Sequence, residues 1–549
     1  MLRYAPFALV LLQGARQACA LRYADNQVPV VKDSEVVAKL FPDLEDVEVL
    51  SPAFQKPATV PKAFANGTSG PTPQFELENF LQTLAARNKW MTYHSPTFRS
   101  EEGRSLPYVF LSTSSHEPKI SSSLASQANA TQSDKVRIWM QGGVHGNEPA
   151  GDQALLALLG KFDANATWAA SVLDKVDILM LPRYNPDGVA YFQRYLATSF
   201  DPNRDHTKMA RQQTRDIKKL VMDFAPHVGV DCHEYSASRG YDATGKTWLS
   251  SQDAQFSAMK NLNIHKDIRA LSEGLFTDAI ASALDARGLR HSPYVVGSLD
   301  GDGGVVLEET TGDAKMGDTS VGLSQAVMFL SETRGIGLAD QQFQRRVAAG
   351  LTLVETLVQT AADNAAHVYA TIEAARADFI SNDQEIVLTD YLRPTNISWT
   401  FVDAPSGTLV DVPVTFLNST PAVANLTRAR PEAYVFSRAW RDAADRLRAA
   451  GVVVEELRMG FTGRVEALNV TSAALAQTKY EGVARTTVAT EPFDKLVTIP
   501  AGGYWVSTRQ KNAAHAFNVL EPENIDSYAT FNVLPVNAGD EYQVYRVMK

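Results

Sequence analysis

The stretch VRIWMQGGVHGNEPAGDQALLALL, residues 136–159, decides the fold. It opens on a short apolar run, Val136 to Gln141, turns through Gly142 and Gly143, and closes on a long alanine- and leucine-rich segment. A short apolar run bounded by glycine reads as a buried strand, and the longer segment reads as a helix. Similar runs recur in VDILMLP (176–182), HVGVDCH (227–233) and VMFLSE (327–332), separated by helical or loop segments. FELENFLQTLAARN (75–88) has helical spacing and LPYVFLSTS (106–114) reads as a strand. This alternation predicts an α/β domain around a largely buried, partly parallel sheet.

Working outward, a chain of 549 residues exceeds one compact core, so two or three domains are expected. A net charge of −10 with 21% charged residues leaves no basic footprint for nucleic acid. No stretch approaches the eighteen apolar residues of a membrane span. Residues 1–20 read as a signal peptide: Arg3, the apolar run Ala5 to Leu12, then small residues at Ala18-Cys19-Ala20. Sequons at Asn66, Asn129, Asn165, Asn396, Asn418, Asn425 and Asn469 agree with secretion. Loss of Cys19 with the leader would leave Cys232 alone, so no internal disulfide is possible. Residues 21–70, with PKAFANGTSGPTP (61–73), read as an N-terminal extension of pro-like composition. Residues 71–380 form the expected α/β domain, the one that carries the motifs described below, closing on helical sequence from Asp340 to Phe379. From 385 to 549 the pattern turns to β-branched alternation, as in NISWTFV (396–402) and LVDVPVTFL (409–417). YVFSRAWRDAADRLRAAGVVVEEL (434–457) inserts a strand–helix–strand unit. This predicts a C-terminal accessory domain of α+β or mostly β character.

Chemistry gathers where the apolar runs end, the edge at which open α/β sheets bind ligands. His145-x-x-Glu148 follows the first run, and Asp231-Cys232-His233 ends another. Two histidines and a carboxylate are a common catalytic zinc set. On its own, His145-x-x-Glu148 equally describes a loop histidine beside a helix-start glutamate favoured by the macrodipole. Strand alternation places Asp231 and His233 on one face and turns Cys232 into the core.

Four blocks together go further: HGNEPAG (145–151), NPDG (185–188) with PNRDH (202–206), DCHEYS (231–236) and FLSETRG (329–335). In this order they resemble the zinc carboxypeptidase family. The resemblance implies a mixed eight-stranded sheet flanked by helices, and one zinc ion per chain held by His145, Glu148 and His233. It implies a peptide or protein substrate with a free C-terminus. Glu332 matches the general base that activates water, with Glu308 and Glu309 next in line. Asn203 and Arg204 match the pair gripping the substrate carboxylate. Arg194 matches the arginine that polarises the scissile carbonyl, ahead of Arg183.

One departure stands out. The family places a mobile tyrosine about twenty residues before the catalytic glutamate, yet TTGDAKMGDTSVGLSQAV (310–327) contains none. This keeps open a zinc amidase or deacylase acting on a non-peptide or cell-wall-type amide, and beyond it an inactive binding protein. Asp302, Asp313 and Asp318 lie nearby, as solvated loop charge or as selectors of a basic side chain.

Overall fold

The computed structural model of the chain describes residues 22–55, 60–114, 134–309 and 312–549. The expected leader and the sequon at Asn129 lie outside them. The first eleven strands are β1 (Met91–His94), β2 (Tyr108–Leu111), β3 (Val136–Gly142), β4 (Val176–Leu181), β5 (Val228–Ser236), β6 (Trp248–Ser250), β7 (Ala254–Ala258), β8 (His291–Ser292), β9 (Val295–Leu299), β10 (Val305–Glu309) and β11 (Val327–Ile336). Eight of them build one mixed sheet in the order β1-β2-β4-β3-β5-β11-β7-β8. Its centre, β4-β3-β5-β11, is parallel, and β2 and β7 run against it on either side. Both β3 and β4 are buried throughout, and β5 and β11 in all but their last residue. Burial on both faces is why these strands read as continuous apolar runs without alternation. The mixed eight-stranded sheet flanked by helices is therefore the observed core.

The helix Pro149–Ala164 follows β3, and Phe343–Asp363 packs along it, with Gly350 facing Ala154 at close range. Residues upstream of the sheet lie against this layer. The Asp33 carboxylate receives both guanidinium arms of Arg334, at 2.6 and 2.9 Å. Gln344 exchanges two 2.8 Å hydrogen bonds with the backbone of Leu44, and Val37, Phe41 and Phe64 are buried.

Downstream, β12 (Ile386–Asp403) and β13 (Thr408–Arg428) form a long hairpin. They pair with the shorter strands in a five-stranded sheet, β6-β12-β13-β10-β9. The remaining strands are β14 (Ala433–Phe436), β15 (Glu455–Glu456), β16 (Phe461–Tyr480), β17 (Val483–Ile499), β18 (Tyr504–Ser507) and β19 (Glu541–Val547). They form a six-stranded sheet ordered β15-β18-β14-β19-β16-β17. The region is sheet-rich with helices Arg441–Ala449 and Ala513–Leu520, as expected. Every residue of Ala513–Leu520 is buried, and the apolar core runs into it from the eight-stranded sheet. The Arg430 guanidinium lies 4.9 Å from the ring of Phe379 and 5.4 Å from that of Phe517, stitching the junction. Among the described residues no helix is long and apolar enough to cross a membrane.

Gly160 tests the upstream packing. In a helix interior alanine ordinarily outdoes glycine by about 1 kcal/mol. Here an added methyl would stand 2.1 Å from the Leu50 carbonyl oxygen. Gly160→Ala is expected to destabilise the chain by about 1–3 kcal/mol, as overpacking does, visible as a lowered Tm. A raised Tm would show that Leu50 does not pack there.

Candidate active site

Two glycines let the site close. A Cβ on Gly146 would stand 1.9 Å from the carbonyl carbon of Gly188, and one on Gly151 would stand 2.4 Å from the Cys232 carbonyl oxygen. Only hydrogen at these positions allows the loop after β3 to lie backbone-to-backbone on the NPDG loop, and the following helix to approach β5. Glu148 is the residue before the helix Pro149–Ala164, and its side chain makes no cap hydrogen bond. The carboxylate turns instead into the site, where its Oε2 accepts the Glu234 N–H at 3.1 Å, while the Glu234 carboxylate accepts the Ala150 N–H at 3.2 Å.

His145, Glu148 and His233 converge, with one donor atom from each lying within 4.8 Å of the other two. His145 Nδ1 and His233 Nδ1 stand 3.1 Å apart, and each is 2.9 Å from an oxygen of Glu148. The outward nitrogens meet carboxylates: His145 Nε2 is 3.0 Å from Asp201, and His233 Nε2 is 3.1 Å from Asp231. Metal-bound imidazoles are oriented in this way by an acceptor on the far nitrogen. The electrostatics agree. Burial works to raise the Glu148 carboxyl, but His145 and His233 hold it well below the usual carboxylate range. Burial likewise opposes charge on His233, yet Asp231 and Glu148 hold it well above the usual imidazole range. A pocket of buried carboxylates that demands positive charge fits a divalent cation.

Asp201 ties this centre to the substrate side. It accepts from Arg194 Nε at 3.1 Å and Nη2 at 3.0 Å, and from the Asn203 N–H at 2.9 Å. Arg194 also reaches Glu148 at 3.0 Å. Asn203 presents Nδ2 to His233 at 3.4 Å and accepts the Gly317 N–H at 2.7 Å. Arg183 is elsewhere, locked to Asp152 at 2.7 Å in the interior.

The register of β11 on β5 sets Glu332 beside His233. Glu332 Oε2 is buried without a hydrogen-bond partner, and burial together with the charge of Glu148 raises its carboxyl. A cavity of about 130 Å3 is lined by His145, Arg194, Asn203, Arg204, Tyr294 and Glu332, with Tyr241, Met316, Leu330 and Arg239 further along its wall. Glu309 is instead paired with Lys260 at 2.7 Å, and neither it nor Glu308 reaches the cavity. Asp302, Asp313 and Asp318 do not line it either.

Two site residues escaped the sequence reading. Tyr294 stands in the cavity, its phenol raised by burial and by Glu332. The β9–β10 hairpin separates it in sequence from β11 and Glu332. A tyrosine just ahead of an apolar strand was the available signal. Asp201 was visible as the first residue of DPNRDH, but nothing in sequence tied it to His145.

The model of the zinc carboxypeptidase family matches residues 77–263. Carboxypeptidase 2 of Trichophyton tonsurans is 50% identical over 534 residues, spanning 97% of each chain. Carboxypeptidase 2 of Trichophyton rubrum is 48% identical with the same coverage. Among solved structures, carboxypeptidase A from Helicoverpa armigera aligns at 14% identity with a TM-score of 0.37, covering 53% of this chain and 74% of its own. On identity across nearly its whole length the chain belongs to the zinc carboxypeptidase family, and it is a metallocarboxypeptidase.

The geometry predicts graded metal loss. His145→Ala, Glu148→Ala or His233→Ala should each abolish tight zinc binding. Asp231→Asn should weaken affinity by about 10–100-fold while leaving one site. Metal analysis after dialysis against graded chelator measures both, and undiminished zinc in the three alanine variants would refute the ligand set.

Proposed function

We propose that this chain is a secreted, zinc-dependent carboxypeptidase that releases the C-terminal residue of peptides, with Glu332 as general base. The observation that carries the reading is convergence. One small cavity is bordered by His145 of the His145–Glu148–His233 cluster, by an unpartnered buried Glu332 and by the Asn203–Arg204 pair.

A zinc ion held by His145, Glu148 and His233 would supply a Lewis acid that polarises the scissile carbonyl and makes water more acidic. The chain's own groups do the rest. Arg204, a planar fork suited to two carboxylate oxygens, and Asn203 grip the substrate's terminal carboxylate. Arg194, aimed into the cavity, stabilises the oxyanion as it develops. Glu332, lacking any competing partner, accepts a proton from the attacking water and delivers it to the leaving amine. Tyr294, with its phenol raised, stays protonated and donates a hydrogen bond to the substrate. It occupies the role whose vacancy had motivated an amidase, and so removes that motive.

The wall favours apolar or aromatic C-terminal side chains. Met316, Leu330, Tyr241 and Val295 line it; Glu234 is tied to Arg346 at 2.8 Å, and Arg239 is engaged by the Gly297 carbonyl and the face of Tyr241. Secretion rests on the leader sequence and on sequons at Asn66, Asn165, Asn396, Asn425 and Asn469, all exposed. A mature protein beginning at Met1, with no mass change on endoglycosidase treatment, would overturn that part of the reading.

Glu332→Gln keeps shape and hydrogen bonding but removes the base, so kcat should fall about 10²-fold or more with zinc retained. Full activity in that variant would show the base to be misassigned. Arg204→Ala should collapse kcat/KM for peptides with a free C-terminus and spare blocked ones far more. An equal loss on both would favour the amidase.

A further inference from the structure

Resting on the carboxypeptidase reading, we infer that the turn joining β16 to β17 braces the substrate site from behind, with Glu481 as a positioning residue that sets the Asp201–Arg204 loop. Three observations carry this.

The first is a contact. Glu481 Oε2 accepts the backbone N–H of Asp201 at 2.8 Å. That backbone belongs to the residue whose carboxylate meets His145, Arg194 and the Asn203 N–H, and whose carbonyl accepts the Arg204 N–H at 3.1 Å. One bond from the C-terminal region thus anchors a residue that touches both the metal-binding histidine and the carboxylate-binding pair.

The second is a local rule broken. The hairpin closes through two residues, Glu481 and Gly482, both at positive φ, 48° and 79°. Turns of this kind take asparagine, aspartate or glycine at the first position, because a longer side chain is strained there. A glutamate held in that conformation suggests that the reach of its carboxylate is what the position requires.

The third is where the hairpin touches. Residues 474–479, leading into the turn, are all exposed, whereas Tyr480 and Glu481 are half-buried. A Cβ on Gly482 would stand 3.1 Å from the Phe200 ring, so the tip lies flat on the residue before Asp201. Burial pushes the Tyr480 phenol up while Arg204 and Lys315 pull it back, which places it within electrostatic reach of the carboxylate-binding arginine.

The test uses the full-length, zinc-loaded protein and a peptide with a free C-terminus. Glu481→Asn suits the left-handed backbone but shortens the side chain, so Tm should hold or rise and zinc content should not change. Its kcat/KM should still fall about tenfold or more, the effect of losing a hydrogen bond to a charged group, with KM rising more than kcat falls. Glu481→Gln, whose amide oxygen still reaches the Asp201 N–H, should recover most of that loss. Wild-type KM in Glu481→Asn, or an equal loss in Glu481→Gln, would overturn the positioning role. Wild-type protein that releases no C-terminal residue would sink the carboxypeptidase reading instead, and that outcome is seen before any variant is compared.

Discussion

Parallel pairing at the centre of the large sheet is the constraint on which the site depends. Because β3, β5 and β11 run in the same direction and in register, their carboxyl ends finish at one edge. Toward that edge lie the loop bearing His145 and Glu148, His233 in the carboxyl-terminal half of β5, and Glu332 beside it on β11. No loop has to be long or flexible to assemble these groups, and strands buried on both faces leave them little freedom to drift. The precision that catalysis needs is supplied by the backbone ladder, and the side chains inherit it.

Around this frame the carboxylates are arranged in two tiers. Glu148 faces the cluster itself, whereas Asp201 and Asp231 stand behind the histidines and fix which nitrogen points inward. Burying so much negative charge is unfavourable unless cations answer it. Arg194 provides one and the histidines provide part of another. Glu332 is left in a different state, raised and unpartnered, so neighbouring carboxylates in one pocket are tuned apart and suited to different tasks.

Much of this was legible in the sequence because it follows from short-range chemistry. Continuous apolar runs marked the buried strands, and the position of His145, His233 and Glu332 at or just beyond their ends placed them at one edge. The alternation of Asp231, Cys232 and His233 foretold which pair would share a face. Tyr294 was not legible because the β9–β10 hairpin, which pairs with β13 from far downstream, separates it in sequence from the strand that carries Glu332. The resemblance put Arg194 ahead of Arg183, but composition supplied no physical reason for that order. Only the tertiary packing of Asp152 against Arg183 commits one to the interior and leaves the other for the cavity. The reach of Glu481 to Asp201 joins residues separated by most of the catalytic region and left no periodic trace.

Cys232, the free cysteine of the described residues, lies between Asp231 and His233 in the chain but turns to the other side of β5. A thiolate on the cation's side would be a softer ligand than any of the three that converge there, and would compete for the ion. Burial pushes this thiol well above its ordinary range, so it remains protonated and chemically quiet. With no second cysteine among the described residues and no tendency to react, the sulfur leaves the described fold indifferent to redox conditions: oxidising and reducing surroundings would meet the same folded structure.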